Sequence, residues 1–178
     1  SNLLGNEAGR MIYDGEVLIA SKGKLTSKNN LFSFKKHNIL EDHSIETVGY
    51  SKNEEFLLAD RLALYDYMRK SHSKGFVISL SGGADSSTFA VLAAEMLKEA
   101  LNKLSIKELV EDNPFLEPIV NNKYFDTNNP YKDLIAHVLC CAYQGTGNSG
   151  EVTLNAAQEL AIQIGAEFHV WNIDTAVN

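Results

Sequence analysis

The sequence predicts an α/β fold built as a doubly wound parallel sheet. Three observations point there. From residue 76 onward, apolar runs alternate with helix-period stretches in the order strand, helix, strand, helix, strand. The runs at 76–80 and 134–143 are almost continuously apolar, as strands covered on both faces are. The first of them passes through a polar Gly-Gly turn straight into a helix. That order requires parallel pairing with right-handed crossovers.

Residues 1–40 read differently from the rest. Strand-like pieces at 11–13, 16–20 and 31–34 are separated by turn signals at Asp14-Gly15, Lys22-Gly23 and Asn29-Asn30. Asp14-Gly15 between two apolar runs predicts a hairpin. A lone hairpin is marginal in water, so these strands need a partner. Residues 41–51 are polar and predict a linker.

Residues 52–71 predict a helix. Leu57, Leu58, Leu62, Leu64, Tyr65 and Met68 form a broad apolar face, with Glu54 and Glu55 at the start and Arg69 and Lys70 at the end, as the helix dipole favours. Residues 76–80 form the first core strand. The next helix runs from the turn to about residue 103, with Phe89, Leu92, Ala93, Met96 and Ala100 on one face.

Residues 104–133 read as a long, irregular, acidic connection broken by Pro114, Pro118 and Pro130, with a helical turn or two at 105–111. A connection of that length is functional or poorly ordered, and a lid or interface segment is expected in preference to an active-site loop. Residues 134–143 predict the second strand and 144–150 a turn. Residues 151–164 predict a helix on the spacing of Leu154, Ala157, Ala161 and Ile164, ended by Gly165. Residues 168–173 predict the third strand. In such sheets ligands sit beyond the carboxyl ends of the strands. This brings 81–87, 143–149 and 172–174 to one rim.

The chain has 178 residues, 44% hydrophobic, enough for one domain or for one domain and a piece of another. A net charge of −7 argues against a nucleic-acid partner held by bulk charge. No apolar run reaches the length of a membrane span, and no signal peptide is visible. Cys140 and Cys141 are adjacent and on a strand point to opposite faces, so a mutual disulfide is not expected. A reduced, cytoplasmic protein fits this usage. The five histidines and two cysteines show no metal-ligand spacing and are expected to be structural or surface residues.

The chemistry concentrates at Ser81-Gly82-Gly83-Ala84-Asp85-Ser86-Ser87. Gly82 and Gly83 let the backbone approach a ligand without interference from Cβ. The amides of the helix start, its dipole and the hydroxyls of Ser81, Ser86 and Ser87 favour phosphate. A P-loop would need a Gly-Lys-Ser/Thr end, and no lysine is present. The plainer alternative is a serine-rich turn with Asp85 or Ser86 as helix N-cap. The string resembles the pyrophosphate loop of the ATP-pyrophosphatases, enzymes of adenine nucleotide alpha hydrolase-like fold that transfer AMP to a carbonyl oxygen and release pyrophosphate.

Two further stretches narrow the resemblance. NLLGNEAGRMIYDGEVLIASKGKL is similar to the last strands of the nitrilase-like glutaminase domain, an α/β/β/α sandwich, of glutamine-dependent NAD synthetases. CAYQGTGNSGEVTLNAAQELAIQIGA followed by WNID looks like the second strand, helix and third strand of their synthetase domain. The family often has Asn-Ser-Ser where this chain has Asn148-Ser149-Gly150, and its connection between the two domains is usually longer than 41–51.

The resemblance implies glutaminase strands at 1–40, a linker at 41–51 and the first part of the synthetase domain at 52–178. It implies that glutamine supplies ammonia, that nicotinic acid adenine dinucleotide is adenylated by ATP, and that ammonia displaces AMP. The cofactors implied are ATP and Mg²⁺. The ATP-binding set is Ser79, Leu80, Ser81, Gly82, Gly83, Ala84, Asp85, Ser86 and Ser87. Within it Ser81 contacts the reacting phosphates and Asp85 holds the metal. Cys141–Tyr143 stand between an adenine contact and plain core packing.

A doubly wound domain of this kind has about five strands, and three are predicted. The chain is therefore expected to be an inactive piece of the enzyme, with a homo-oligomer expected of the whole. Another ATP-pyrophosphatase ligase, of the GMP synthetase kind, or a non-catalytic adenine-nucleotide-binding module are the alternatives.

Overall fold

The structure, a computed structural model, describes residues 1–7, 10–40, 49–147 and 149–174. Most of the predicted linker therefore lies outside the described residues, as does Asn148.

The first forty residues form two hairpins. β1 (Leu4–Glu7) pairs antiparallel with β2 (Met11–Asp14), and β3 (Leu18–Ser21) with β4 (Lys24–Lys28). The hairpin expected at Asp14-Gly15 is corrected to a bend between the two. Lys22 and Gly23 both take positive φ, 50° and 76°, and close the β3–β4 turn instead, as a two-residue loop matched to strand twist requires. At Gly15 the carbonyl is taken by the side chains of Asn29 and Asn38, which holds the bend. The strand expected at 31–34 does not form. Phe32 sits at φ 56° and Phe34 is buried against the Tyr65 ring at 5.1 Å.

α1 (Lys52–Ser71) takes the predicted limits. Ser51 and Glu54 form a reciprocal capping box, and His72 closes the helix in the left-handed conformation. Its buried face is Leu62, Tyr65 and Met68, each contributing about 1.5–3 kcal/mol on burial. β1 and β2 lie along this helix. β1 and β2 thus find a helix as their partner.

β5 (Phe76–Ser79), β6 (Leu139–Gly145) and β7 (Glu167–Asn172) form a three-stranded parallel sheet in sequential order. α2 (Ala84–Lys103) and α6 (Glu151–Ile164) make the two crossovers. Ala90, Ala93, Met96, Leu97 and Ala100 of α2 and Ala157 and Ala161 of α6 are buried, joined by Ile78, Cys141 and Tyr143 from the sheet. The opposite sheet face is more open: Val77 is 74% exposed and Trp171 46%.

The run at 134–143 divides. α5 (Pro130–Val138) occupies its first half and β6 its second. Pro130 stands in the first turn of α5, where its missing N–H costs nothing. Leu134, Ile135 and Val138 are buried at helical spacing. A continuous apolar run fits a buried helix as well as a strand, and α5 covers three residues of core on the way to β6.

The long connection is corrected as well. It contains α3 (Ile106–Asp112), a 3-10 turn Pro114–Leu116 and α4 (Glu117–Val120). Leu109 and Leu116 are fully buried. α3 follows the C-terminus of α2, and a 20-residue helix separates its ends by about 30 Å. The segment is a core element at the far end of α2 and not a lid over the loop.

Candidate functional site

The three parallel strands end at one rim, as their order requires. At β5, Leu80 is fully buried and its N–H donates to the Ala142 carbonyl at 2.8 Å. Leu80 therefore anchors the base of the loop through sheet and core. Ser79 is exposed, and its hydroxyl donates to Gln144 Oε1 at 3.2 Å.

The loop then folds on itself. Ser81 N–H donates to Ser86 Oγ at 3.2 Å, the two hydroxyls lie 3.1 Å apart, and Gly83 N–H donates to Ser81 Oγ at 3.3 Å. Gly83, not Asp85 or Ser86, is the N-cap of α2, and no side chain caps the helix. The first-turn amides of an α-helix lack intrahelical acceptors. With no cap they face the rim, where the helix dipole favours an anion.

Ala84 and Asp85 are exposed and Ser87 half-buried, its N–H donating to the Gly83 carbonyl. Among the described residues nothing pairs with the Asp85 carboxylate. A free carboxylate beside an anion site suits a hard cation such as Mg²⁺, which takes one or two carboxylates along with phosphate oxygens and waters.

Gly82, at φ 76°, rests on α6: a Cβ there would lie 2.5 Å from the Thr153 carbonyl oxygen. Thr153 is held in turn by Tyr143, whose hydroxyl is 2.8 Å from Thr153 Oγ1. Tyr143 thus supports the loop through α6 while its ring joins the core. The serine motif gives no hint of Thr153. Its position in the first turn after the second strand, opposite the first loop, was the available signal.

The remaining strand ends close the rim. Ile173 N–H donates to the Gly145 carbonyl at 3.0 Å, and Gly147 N–H to Asp174 Oδ1 at 3.0 Å. Ser149 Oγ accepts from Thr146 N–H at 2.9 Å. Between β6, β7 and the start of α6 lies a cavity of about 190 Å³, lined by residues that include Tyr143, Gly145, Leu154 and Trp171. Burial pushes the Cys141 thiol up to about 11, with the neighbouring Cys140 adding to the effect. A neutral, fully buried thiol makes Cys141 a core residue.

Among the described residues, no helix is long and apolar enough to cross a membrane. The family described as NAD synthase matches residues 58–116, from mid-α1 through the loop to the 3-10 turn. A crystal structure of a glutamine-dependent NAD(+) synthetase from Cytophaga hutchinsonii superposes with a TM-score of 0.82 at 46% identity, over 98% of this chain and 30% of that one. The glutamine-dependent NAD(+) synthetase of Macaca fascicularis is 35% identical over 75% of this chain and 19% of its own length.

The enzyme from Acinetobacter baumannii, solved in complex with adenosine diphosphate, shares the fold at a TM-score of 0.64 and 17% identity, over 98% of this chain and 28% of that one. The chain spans about a fifth to a third of the length of these relatives. The chain belongs to the glutamine-dependent NAD(+) synthetase family, matching one segment of its members.

Proposed function

We propose that this chain carries the ATP-pyrophosphate loop of an enzyme that amidates nicotinic acid adenine dinucleotide to NAD. The observation behind this reading is the uncapped start of α2 beneath a Ser-Gly-Gly-x-Asp-Ser-Ser loop at a parallel-sheet rim. The family supplies the substrate class, and the ADP bound to the Acinetobacter relative supports a nucleotide at this fold.

In the proposed reaction the dinucleotide carboxylate attacks the α-phosphorus of ATP. The bond to the bridging oxygen breaks, pyrophosphate leaves, and an adenylate remains. Ammonia from glutamine then displaces AMP to form the amide. The first-turn amides of α2 and the hydroxyls of Ser81, Ser86 and Ser87 stabilise the charge that builds on pyrophosphate. Ser81 makes the direct contact with the reacting phosphates. Asp85 would hold Mg²⁺, which neutralises phosphate charge when bound. Ser79 and Leu80 set the angle at which the loop leaves the sheet.

Residues 1–40 are the end of the glutaminase domain, 41–51 the linker and 52–178 the first part of the synthetase domain of a longer, homo-oligomeric enzyme. The isolated chain does not complete the amidation.

The test is pyrophosphate release from ATP by the longer enzyme. Release is expected to depend on nicotinic acid adenine dinucleotide, and to fall at least about a hundredfold in Ser81→Ala and Asp85→Ala, as for loss of a preorganised charge-stabilising group. Release driven by xanthosine monophosphate or aspartate would move the assignment to another ligase of the superfamily. ATP binding without any release would leave a nucleotide-binding module.

A further inference from the structure

On the open face of the sheet, β6 and β7 bring three potential ligands together. Cys140 is in register with Glu167. Aligned residues of neighbouring strands share a face, and a strand returns to that face every second residue. Glu167 and His169 therefore flank Cys140 on one side, while Cys141 and Phe168 point into the core. Cys140 Sγ, a Glu167 carboxylate oxygen and a His169 ring nitrogen lie within 4.8 Å of one another. Glu167 Oε1 is 3.0 Å from His169 Nε2, and both side chains are about half exposed. The His169 ring stacks on Trp171, centroids 6.3 Å apart and planes at 22°, which holds the imidazole against the sheet.

We propose that Cys140, Glu167 and His169 form a binding site for one thiophilic divalent cation, best matched by Zn²⁺. The donor set is sulfur, nitrogen and oxygen, which zinc accepts and magnesium and calcium do not. Tetrahedral zinc with these bond lengths spaces its ligands about 3.3–3.7 Å apart. Side-chain rotations of about 1 Å that draw Cys140 Sγ inward from within 4.8 Å and part Glu167 from His169 beyond their 3.0 Å bring the triangle to that size. The fourth position faces solvent and takes a water. On binding, the Cys140 S–H bond breaks, its proton goes to solvent, and sulfur and the neutral imidazole each give a lone pair to the metal. Sequence spacing could not find the site, because sheet register alone unites residues of two separate strands.

The experiment is titration of the reduced chain with Co²⁺, reading thiolate-to-cobalt charge transfer in the near ultraviolet, followed by displacement with Zn²⁺. The expected result is one equivalent bound, with the band abolished in Cys140→Ser and unchanged in Cys141→Ser. Loss of either other ligand, in His169→Gln or Glu167→Gln, is expected to weaken binding at least about tenfold. Far-ultraviolet circular dichroism checks each fold. Cobalt at Asp85 would give no thiolate band, so the two sites are distinguished. No band, a band surviving in Cys140→Ser, or wild-type affinity in His169→Gln would overturn the proposal and leave an ordinary surface ion pair. Should Cys140→Ser misfold, the two exposed variants decide.

Discussion

Asp66 accepts the backbone N–H of Asn6 at 2.8 Å from a fully buried position on α1. Its other oxygen is 2.6 Å from the Arg69 guanidinium, and Lys70 Nζ approaches at 3.2 Å. Arg69 reaches on to Asp112 of α3 at 3.4 Å, where the Tyr65 hydroxyl and Lys36 also converge. One buried carboxylate thereby joins the N-terminal hairpin to the helix that precedes the sheet.

Removing that carboxylate strands the Asn6 amide and takes the nearer of two carboxylate partners from a nearly buried guanidinium. Asp66→Ala is expected to cost about 3 kcal/mol, the range for breaking a buried pair from one side. Lys70→Ala, where the lysine itself is about half-exposed, should cost less than about 1 kcal/mol. Urea denaturation of the two variants measures the difference. Equal, small losses would mean that the hairpin is not held through Asp66.

Gly82 and Gly23 share φ 76° but differ in surroundings. Nothing lies within 4 Å of a Cβ at Gly23, so Gly23→Ala should cost about 1 kcal/mol of backbone strain alone. At Gly82 the same methyl meets the Thr153 carbonyl. Gly82→Ala is expected to lose at least about 2 kcal/mol and to weaken ATP binding. Thermal denaturation and nucleotide titration of both variants check this. A Gly82→Ala chain as stable as Gly23→Ala would show that the loop moves freely off α6.

Burial raises the Cys141 thiol from its usual 9.0 to about 11. The unfolded chain then releases this proton at lower pH than the folded one. The stability linked to it is whole below about pH 9, declines as pH rises, and is lost above about 11. Tyr131, pushed up to about 12 by burial, contributes only above pH 10. Denaturation midpoints at pH 8, 9 and 10 should fall in the wild type and fall less in Cys141→Ala. Identical slopes would refute a buried neutral thiol as their source.

What was legible in the sequence follows the strength of each local signal. α1 and α6 carry a helical period with matched ends, and their limits emerge unchanged. The turn at 80–83 was legible because two glycines stand between an apolar run and a helical period. The division of 134–143 was not, since Leu134, Ile135 and Val138 are apolar whether they face a core as helix or as strand. The connection at 104–133 hid its helices behind three prolines that turned out to stand at helix starts or in short turns. Thr153 and the register of Cys140 with Glu167 depend on packing and pairing, which no local window contains.

The contact of Gly82 with Thr153 bears on how a ligand would be met. The loop and the first turn of α6 touch backbone to backbone, and Tyr143 ties that turn to the sheet. The walls of the rim therefore form one contiguous packed surface and not two separate jaws. A molecule laid from the loop to the cavity beside Trp171 would find its seat already shaped. Little freedom would remain for it to freeze out of the protein, so most of its contact energy would appear as affinity.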